Sequence, residues 1–356
     1  MRPPALLTLL LFALCCAACA DGAKPADSPG TAPDPDSRRD SPQDSPQDSP
    51  QDSPQDSPQD SDSPDSPPDS PVDTTPPEPV VRFVALGDAG EGNDVQYAVG
   101  QAIRTVCDRD GCDLALYLGD NFYDSGADDV TDDQFQDKFE LPYQDLNFPF
   151  YVALGNHDYG GEGIGWELWK GQIYVDYTSY SGRWMMPDLY YTFDQEHVSF
   201  FGLDSTQVFW GFGGAQLTWL QGAVANAPGD WKIAFAHHPY LSNGPHGNAG
   251  SYEGLDWLPI VNGEAIQEFV EDGLCGQVDL YICGHDHSLQ WPAAACGTEF
   301  IVSGAGAKTS ELDGSNATWF ESLEPGFVWI EIRGETLTGV FYDQYANELY
   351  RRSYTR

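Results

Sequence analysis

Residues 114–123 have the sequence Leu114-Ala115-Leu116-Tyr117-Leu118-Gly119-Asp120-Asn121-Phe122-Tyr123. The five apolar residues at the start, bounded by a glycine, predict a short strand that is buried on both faces. The side chains that follow place a carboxylate, an amide and a phenol just after the end of that strand. The segment therefore predicts a buried sheet with chemically active side chains at its edge.

The same order, an apolar run and then polar side chains, occurs four more times. The runs Val80–Leu86, Phe148–Leu154, Trp231–Ala236 and Leu280–Cys283 end at Gly87-Asp88, Gly155-Asn156-His157-Asp158, Ala236-His237-His238-Pro239 and Gly284-His285-Asp286-His287. Helices are predicted at Asp94–Asp108, Gln134–Leu146, Gln216–Ala225 and Ile266–Gly273. A strand is predicted at Phe300–Ser303, and hairpins at Leu189–Phe193 with Val198–Leu203 and at Phe327–Tyr342. Strands that alternate with helices imply βαβ units, in which ligands gather at the carboxyl ends of strands.

These five patches offer enough donor atoms for two adjacent metal ions. Asp120 is the natural bridge, because one carboxylate can give an oxygen atom to each of two cations. One ion can be completed by Asp88, Tyr123 and His287, and the other by Asn156, His237 and His285. Carboxylate and phenolate are hard anionic donors suited to Fe(III), whereas the mostly neutral second set suits divalent Fe, Zn or Mn. Tyr123 bound to Fe(III) also predicts a visible charge-transfer colour.

Three of the patches resemble the motifs of the calcineurin-like metallophosphoesterases. They are Gly119-Asp120-Asn121-Phe122-Tyr123, Gly155-Asn156-His157-Asp158 and Tyr281-Ile282-Cys283-Gly284-His285-Asp286-His287. The tyrosine three residues after Asp120 is similar to the purple acid phosphatase branch, and the chain resembles its small tartrate-resistant type over about residues 80–345. The resemblance implies a four-layer α/β/β/α sandwich, in which two mixed sheets are flanked by helices, and a dinuclear centre of Fe(III) with Fe(II), Zn or Mn.

Every metal ligand of that family has a counterpart in this chain. The positions that match are Asp88, Asp120, Tyr123 and His287 for the ferric ion, and Asp120, Asn156, His237 and His285 for the divalent ion. His157 and His246 match the family's substrate-contacting histidines. The resemblance implies that phosphate monoesters are hydrolysed by attack of a metal-bound hydroxide on phosphorus, with His157, alone or with His246, giving a proton to the leaving group. Asp158 either orients His157 or is a turn residue, and His238 departs from the family pattern.

Two glycine-rich segments look like phosphate-binding loops but lack the required spacing. Gly87-Asp88-Ala89-Gly90-Glu91-Gly92 misses the dinucleotide spacing, and Gly304-Ala305-Gly306-Ala307-Lys308-Thr309 has Ala where a nucleotide P-loop needs Gly before Lys. The sequence has no Gly-x-Ser-x-Gly elbow, which argues against a serine hydrolase. The alternatives to a monoesterase are a phosphodiesterase or nucleotide pyrophosphatase with the same metals, and a surface lipoprotein that binds without turnover.

Residues 1–19 have the composition of an export signal. Arg2 is followed by a short, mostly Ala, Leu and Phe run and then by Ala17-Ala18-Cys19. A signal cleaved after Ala20 fits this pattern, and so does a bacterial lipoprotein signal with a lipid on Cys19. The sequence predicts an exported protein, either secreted or attached to a membrane through that lipid.

Residues 20–79 predict a disordered linker in front of a catalytic domain over residues 80–356. Asp40-Ser41-Pro42-Gln43 is repeated five times in tandem, which leaves almost no apolar side chains to bury. The stretch 80–356 has 12 Lys and Arg against 41 Asp and Glu. So acidic a surface argues against nucleic acid as a partner, because phosphate backbones are bound by Lys and Arg. A small phosphoester is the expected substrate.

Five cysteines follow the signal: Cys107, Cys112, Cys275, Cys283 and Cys296. In an exported protein, Cys107 can pair with Cys112 and Cys275 with Cys296. Cys283 ends an apolar strand and is either a buried free thiol or a metal ligand.

Overall fold

A computed structural model describes residues 78–356 of the chain. The predicted signal peptide with Cys19, and the linker over residues 20–79 apart from its last two residues, lie outside the described residues. Within residues 78–356, no helix combines the length and the apolar character needed to span a membrane.

In residues 78–356, fourteen strands form two seven-stranded sheets. In chain order the strands are β1 Val80–Leu86, β2 Leu114–Leu118, β3 Phe150–Ala153, β4 Trp184–Met185, β5 Tyr191–Gln195, β6 Val198–Gly202, β7 Trp231–Phe235, β8 Leu280–Cys283, β9 Leu289–Pro292, β10 Glu299–Ser303, β11 Thr318–Ser322, β12 Gly326–Arg333, β13 Thr336–Asp343 and β14 Glu348–Thr355. The first sheet has the order β14-β13-β12-β1-β2-β3-β4, and the second has the order β11-β9-β10-β8-β7-β6-β5. Strands β1 to β4 run parallel, as do β6, β7, β8 and β10.

The described part of the chain has five α-helices beside the sheets: α1 Asp94–Asp110, α2 Gly171–Tyr177, α3 Ser205–Phe209, α4 Gly214–Asn226 and α5 Glu264–Gly273. Helix α1 begins where the Asn93 side chain accepts a hydrogen bond from the Gln96 backbone N–H. Helices α4 and α5 cover the outer face of the second sheet, where Leu220 and Phe269 pack in one buried cluster with Phe201.

The two sheets pack against each other through aromatic side chains. The rings of Phe83 on β1 and Phe200 on β6 meet edge to face at 5.4 Å, and Tyr151 on β3 stacks on Phe193 of β5 at 3.5 Å. Buried aromatic rings supply large apolar areas and geometrically specific contacts, so these pairs fix how the sheets face one another. The predicted four-layer arrangement, with two mixed sheets between helices, is confirmed.

The predicted helix over Gln134–Leu146 is confirmed over residues 134–140 and wrong over the remainder. A single wide helical turn occupies Gln136–Glu140, and turns follow it. Pro142 has no backbone N–H, which disfavours continuation of a regular helix. Phe139 and Tyr143 instead pack around the buried ring of Tyr117.

Both predicted disulfides are present. Cys107 is joined to Cys112 and Cys275 to Cys296. Cys283 is a free, buried thiol, and burial raises its pKa well above the ordinary value. It therefore behaves as an apolar core residue rather than a metal ligand.

Candidate metal centre and active site

The five polar patches meet at one edge of the sandwich. Asp88 follows β1, Asp120 and Tyr123 follow β2, and Asn156 follows β3 in the first sheet, while His237 follows β7, and His285 and His287 follow β8, in the second. These strands are parallel within each sheet, so their carboxyl ends lie together. The structure brings all seven predicted ligands to this edge.

Three of the ligand residues have a left-handed backbone. The φ angles are +56° at Asp88, +51° at Asp120 and +70° at His285. A residue with a Cβ in this conformation costs roughly 1–2 kcal/mol, so the surrounding fold must stabilise it. The conformation turns the chain sharply after each strand and keeps these side chains at the shared edge.

Gly119 lies between β2 and Asp120, and its φ angle is +89°. A Cβ atom there would be 2.7 Å from the Gly155 backbone nitrogen and 2.7 Å from His237 Nδ1. The absence of a side chain at Gly119 therefore lets the β2, β3 and β7 ends approach one another.

Asp88, Tyr123 and His287 form the first donor group. The Tyr123 hydroxyl lies 3.1 Å from Asp88 Oδ1 and 3.2 Å from His287 Nε2, and His287 Nε2 is 3.6 Å from Asp88 Oδ1. Asp88 is fully buried and Tyr123 nearly so.

Asn156, His237 and His285 form the second donor group, beside Asp120. His237 Nε2 lies 2.9 Å from Asn156 Oδ1, 3.0 Å from His285 Nδ1 and 3.4 Å from Asp120 Oδ1. Asp88, Asp120 and His237 each present a ligand atom within 4.8 Å of the other two. Asp120 thus lies where the two donor groups meet.

The protonation of His237 shows why this arrangement suits a cation. Its Nδ1 lies 2.9 Å from the Leu118 carbonyl, which can only accept, so Nδ1 carries the hydrogen. Burial lowers the pKa of His237, so the ring is neutral and its Nε2 carries a lone pair. That lone pair faces the carbonyl oxygen of Asn156 and the carboxylate of Asp120, which are also acceptors. Acceptor atoms that face one another in this way repel, and a bound cation would satisfy all three of them.

The ionisable ligands respond to the same burial. Burial, then the charge of Asp120, raises the pKa of Asp88 and of Tyr123 well above their ordinary values. Burial lowers the pKa of His285 and His287 well below the ordinary value, which leaves both rings neutral. Burial alone would raise the pKa of Asp120, but His237 and His157 outweigh it and lower the pKa. Binding of metal ions would therefore have to displace protons chiefly from Asp88 and Tyr123.

Asp158 braces the two loops that carry Asp120 and Asn156. Its buried carboxylate accepts from the backbone N–H groups of Asn121, Phe122 and Gly155 at 2.8–3.1 Å, and from the Asn121 amide at 2.9 Å. Burial, then Asp120, raises its pKa to about 7. The partner of the His157 ring is the Asp124 carbonyl, 2.8 Å from Nδ1, so the interpretation of Asp158 as the residue that orients His157 is wrong.

The two predicted substrate-contacting histidines lie beside the donor groups. His157 is 4.3 Å from Tyr123 between ring centroids, and its Nε2 is 4.0 Å from Asp120 Oδ2. His246 stacks on His285 at 3.9 Å, and its Nδ1 is hydrogen-bonded to the Glu253 carboxylate. Although burial alone would lower the pKa of His246, the bond to Glu253 and the charge of Asp286 raise it.

His238 is a buried positioning residue. The Ser205 hydroxyl accepts from the backbone N–H groups of His237 and His238, at 3.2 and 3.0 Å, and lies 2.9 Å from His238 Nδ1. With both N–H groups donating to it, its own hydrogen points to His238 Nδ1. The His238 ring therefore holds the turn behind the ligand His237.

Several contacts at the site were not predictable from the local sequence. Glu253 lies in an irregular loop with no motif of its own, and its φ angle of +57° carries no sequence signal in a glutamate. The carbonyls of Leu118 and Asp124 are invisible to any side-chain pattern. Ser205 belongs to a short helix that no periodicity indicates.

Comparisons with known proteins agree with this geometry. The family model described as calcineurin-like phosphoesterase matches residues 81–289. The chain is 30% identical to tartrate-resistant acid phosphatase type 5 of Sus scrofa over 263 residues, which is 65% of this chain and 71% of the relative. Purple acid phosphatase PPD1 of Lupinus luteus has a similar fold, with a TM-score of 0.58 and 18% identity over 78% of this chain and 54% of that one. GAP50, described as the anchor in the inner membrane complex of Plasmodium, has a TM-score of 0.62 and 19% identity over 78% of this chain and 89% of that one.

Proposed function

Because the chain belongs to the calcineurin-like phosphoesterase family, we propose that it is an acid phosphatase that hydrolyses phosphate monoesters at a dinuclear metal centre. One observation carries the proposal: the donor atoms of both groups converge at one edge, and there the lone pair of His237 Nε2 faces the acceptor oxygens of Asn156 and Asp120. The tartrate-resistant acid phosphatases among its relatives support the monoester as the substrate class.

The residues present fit two cations of different character. Asp88, Tyr123 and His287 would hold Fe(III), and Asn156, His237 and His285 would hold Fe(II), Zn or Mn, with Asp120 shared between them. Such a pair supplies Lewis-acid binding of phosphate oxygens and activation of a water molecule at modest pH.

We propose that His157 exchanges a proton with the leaving group. Its Nδ1 is committed to the Asp124 carbonyl, so Nε2 is the atom that can give or take a proton towards Asp120 and the donor groups. His246 has the same arrangement, because its Nδ1 is committed to Glu253. In each case Nδ1 has a fixed partner and Nε2 remains to exchange a proton, and both rings lie beside the donor groups.

Two alternative functions would use some of the same residues. A phosphodiesterase or nucleotide pyrophosphatase would use the same ligands and differ only in the surrounding loops. A binding protein without turnover is favoured by the fold shared with GAP50, whose description is that of an anchor. Such a protein needs neither His157 nor His246, whereas both lie beside the donor groups here.

We also propose that the protein works outside the cytoplasm, anchored by a lipid on Cys19 or secreted. The two disulfides support export, because disulfides form and persist in oxidising compartments. Fractionation of cells that express the full chain tests this, with a Cys19→Ser variant as the control for lipid attachment. Recovery of the full chain in the cytoplasm with reduced cysteines would contradict the proposal.

The test of function is hydrolysis of an aryl phosphate monoester against the matching diester, on metal-loaded full-length protein. Preference for the monoester, abolished by a chelator and by Asp120→Asn, supports the proposal. Preference for the diester replaces it with the phosphodiesterase alternative. Lack of turnover of both esters with two metal ions bound per chain supports the binding protein.

A further inference from the structure

The segment Gly304–Thr309, which follows β10 and lacks P-loop spacing, packs directly against the metal centre. The Gly306 N–H donates to the Gly87 carbonyl at 3.1 Å, and the Gly87 N–H donates to Ser303 at 2.8 Å. A Cβ atom at Gly306 would lie 2.6 Å from the Gly87 carbonyl oxygen, so only glycine allows this approach. The glycines of the segment serve close packing beside Asp88 rather than the binding of a nucleotide.

This packing places Lys308 beside the site. The segment is held on both sides of it, because the Asn93 amide donates to the Ala307 carbonyl at 3.0 Å and the Ser310 N–H donates to the His287 carbonyl at 2.9 Å. The Lys308 ammonium lies 3.4 Å from the centroid of the Tyr123 ring. It is also 2.7 Å from Glu91 Oε1, and each of the two side chains is about one third exposed.

A cation over an aromatic face is attracted by the electron density of the ring. Tyr123 is the phenol of the first donor group, so the same electron density would be shared with the ferric ion of the proposed centre. A positive charge on the ring face stabilises those electrons and makes the phenolate a weaker donor. Glu91 opposes this effect, because its negative charge partly cancels the ammonium.

We propose that Lys308 acts through Tyr123 to set the donor strength of that residue towards the ferric ion, and that Glu91 moderates it. The inference rests on the proposed function, since it takes Tyr123 as the ferric ligand. Lys308 acts through Tyr123 in this role, so it is a positioning residue rather than a catalytic one.

Lys138 also approaches Tyr123 but in a different way. Its ammonium is hydrogen-bonded to the Tyr123 carbonyl and lies 2.9 Å from Gln134 Oε1. It therefore holds the backbone of Tyr123, whereas Lys308 lies over the ring. Of these two lysines, Lys308 is therefore the one that can change the electronic properties of the phenol.

The test is the visible absorption of full-length protein loaded with iron and oxidised to the ferric form. The charge-transfer band starts from the tyrosinate, so loss of the stabilising charge in Lys308→Met is expected to move the band to longer wavelength. Glu91→Gln leaves the ammonium uncompensated and is expected to move it to shorter wavelength. Lys308→Arg keeps the charge and is the matched control, with a band close to that of the natural protein.

Opposite shifts in the two variants are a result that a merely structural role for the ion pair would not give. Unshifted bands in Lys308→Met and Glu91→Gln, or shifts in the same direction, overturn the proposal. If Lys308→Met fails to take up iron, the direction of the Glu91→Gln shift decides. A fully ferric natural protein without any band overturns the ligation by Tyr123 and this inference with it, while phosphate release from the monoester by the same sample shows whether the proposed function survives.

Discussion

Replacement of Asp158 by Asn should lower the free energy of unfolding substantially, although the two side chains have nearly the same shape. Oδ2 of the carboxylate accepts from the Gly155 N–H and the Asn121 amide, and Oδ1 accepts from the Asn121 and Phe122 N–H groups. An asparagine keeps one oxygen and presents an NH2 group to the other two donors. Each buried donor that loses its acceptor costs about 1–3 kcal/mol, so two of them predict a loss of about 2–6 kcal/mol.

The assay is the free energy of unfolding in urea at about pH 8, above the pKa of about 7 of Asp158, so that the ionised carboxylate accepts from all four groups. The protein is treated with chelator, because a bound metal would add a stabilisation that differs between variants. Asp129→Asn is the matched control. It makes the same chemical change at an exposed turn, where Asp129 accepts from Thr131, and the expected change in the free energy of unfolding is far smaller than for Asp158→Asn. A loss for Asp158→Asn no larger than that of the control would refute the bracing role of this carboxylate.

Three further predictions concern catalysis, pH and the covalent links. His157→Ala should lower kcat by about 10²–10⁴-fold on alkyl phosphates and less on aryl phosphates, whose leaving groups need no proton; equal losses on both would contradict the role of proton donor. Burial raises the pKa of Asp204 to about 6, above its ordinary value near 4, so its contribution to the free energy of unfolding is full below pH 4 and is lost as the pH rises through 6. The free energy of unfolding, measured in urea at pH 4 and pH 7, should therefore fall by about 3 kcal/mol less in Asp204→Asn than in the natural protein. The same fall in both proteins would show that Asp204 ionises normally. Replacing Cys275 and Cys296 with two serines should lower the free energy of unfolding by about 3 kcal/mol, because the disulfide joins residues 21 positions apart and restricts the unfolded chain. An unchanged melting temperature would contradict a stabilising role for this disulfide.

The sequence predicted well the parts of the fold that rest on local pattern. The apolar runs at Val80–Leu86, Leu114–Leu118 and Leu280–Cys283 are strands with those bounds, because they are buried on both faces and need no alternation to be recognised. The strands Leu289–Pro292 and Thr318–Ser322 were not predicted. They pair with each other at an edge of the second sheet, and only their long-range partners make them strands.

The candidate site divides in the same way. Residue type and position after a strand were enough to select the donors from Asp88 to His287, since the ends of parallel strands must meet. Only the tertiary structure decided which atom of each donor faces the centre. For example, the Leu118 carbonyl fixes the hydrogen of His237 on Nδ1, so that Nε2 faces the centre. It also decided that Lys308, more than 180 residues away along the chain, lies over the ring of Tyr123. Such contacts depend on how loops from two sheets pack together, and the sequence near each residue carries no record of its distant neighbours.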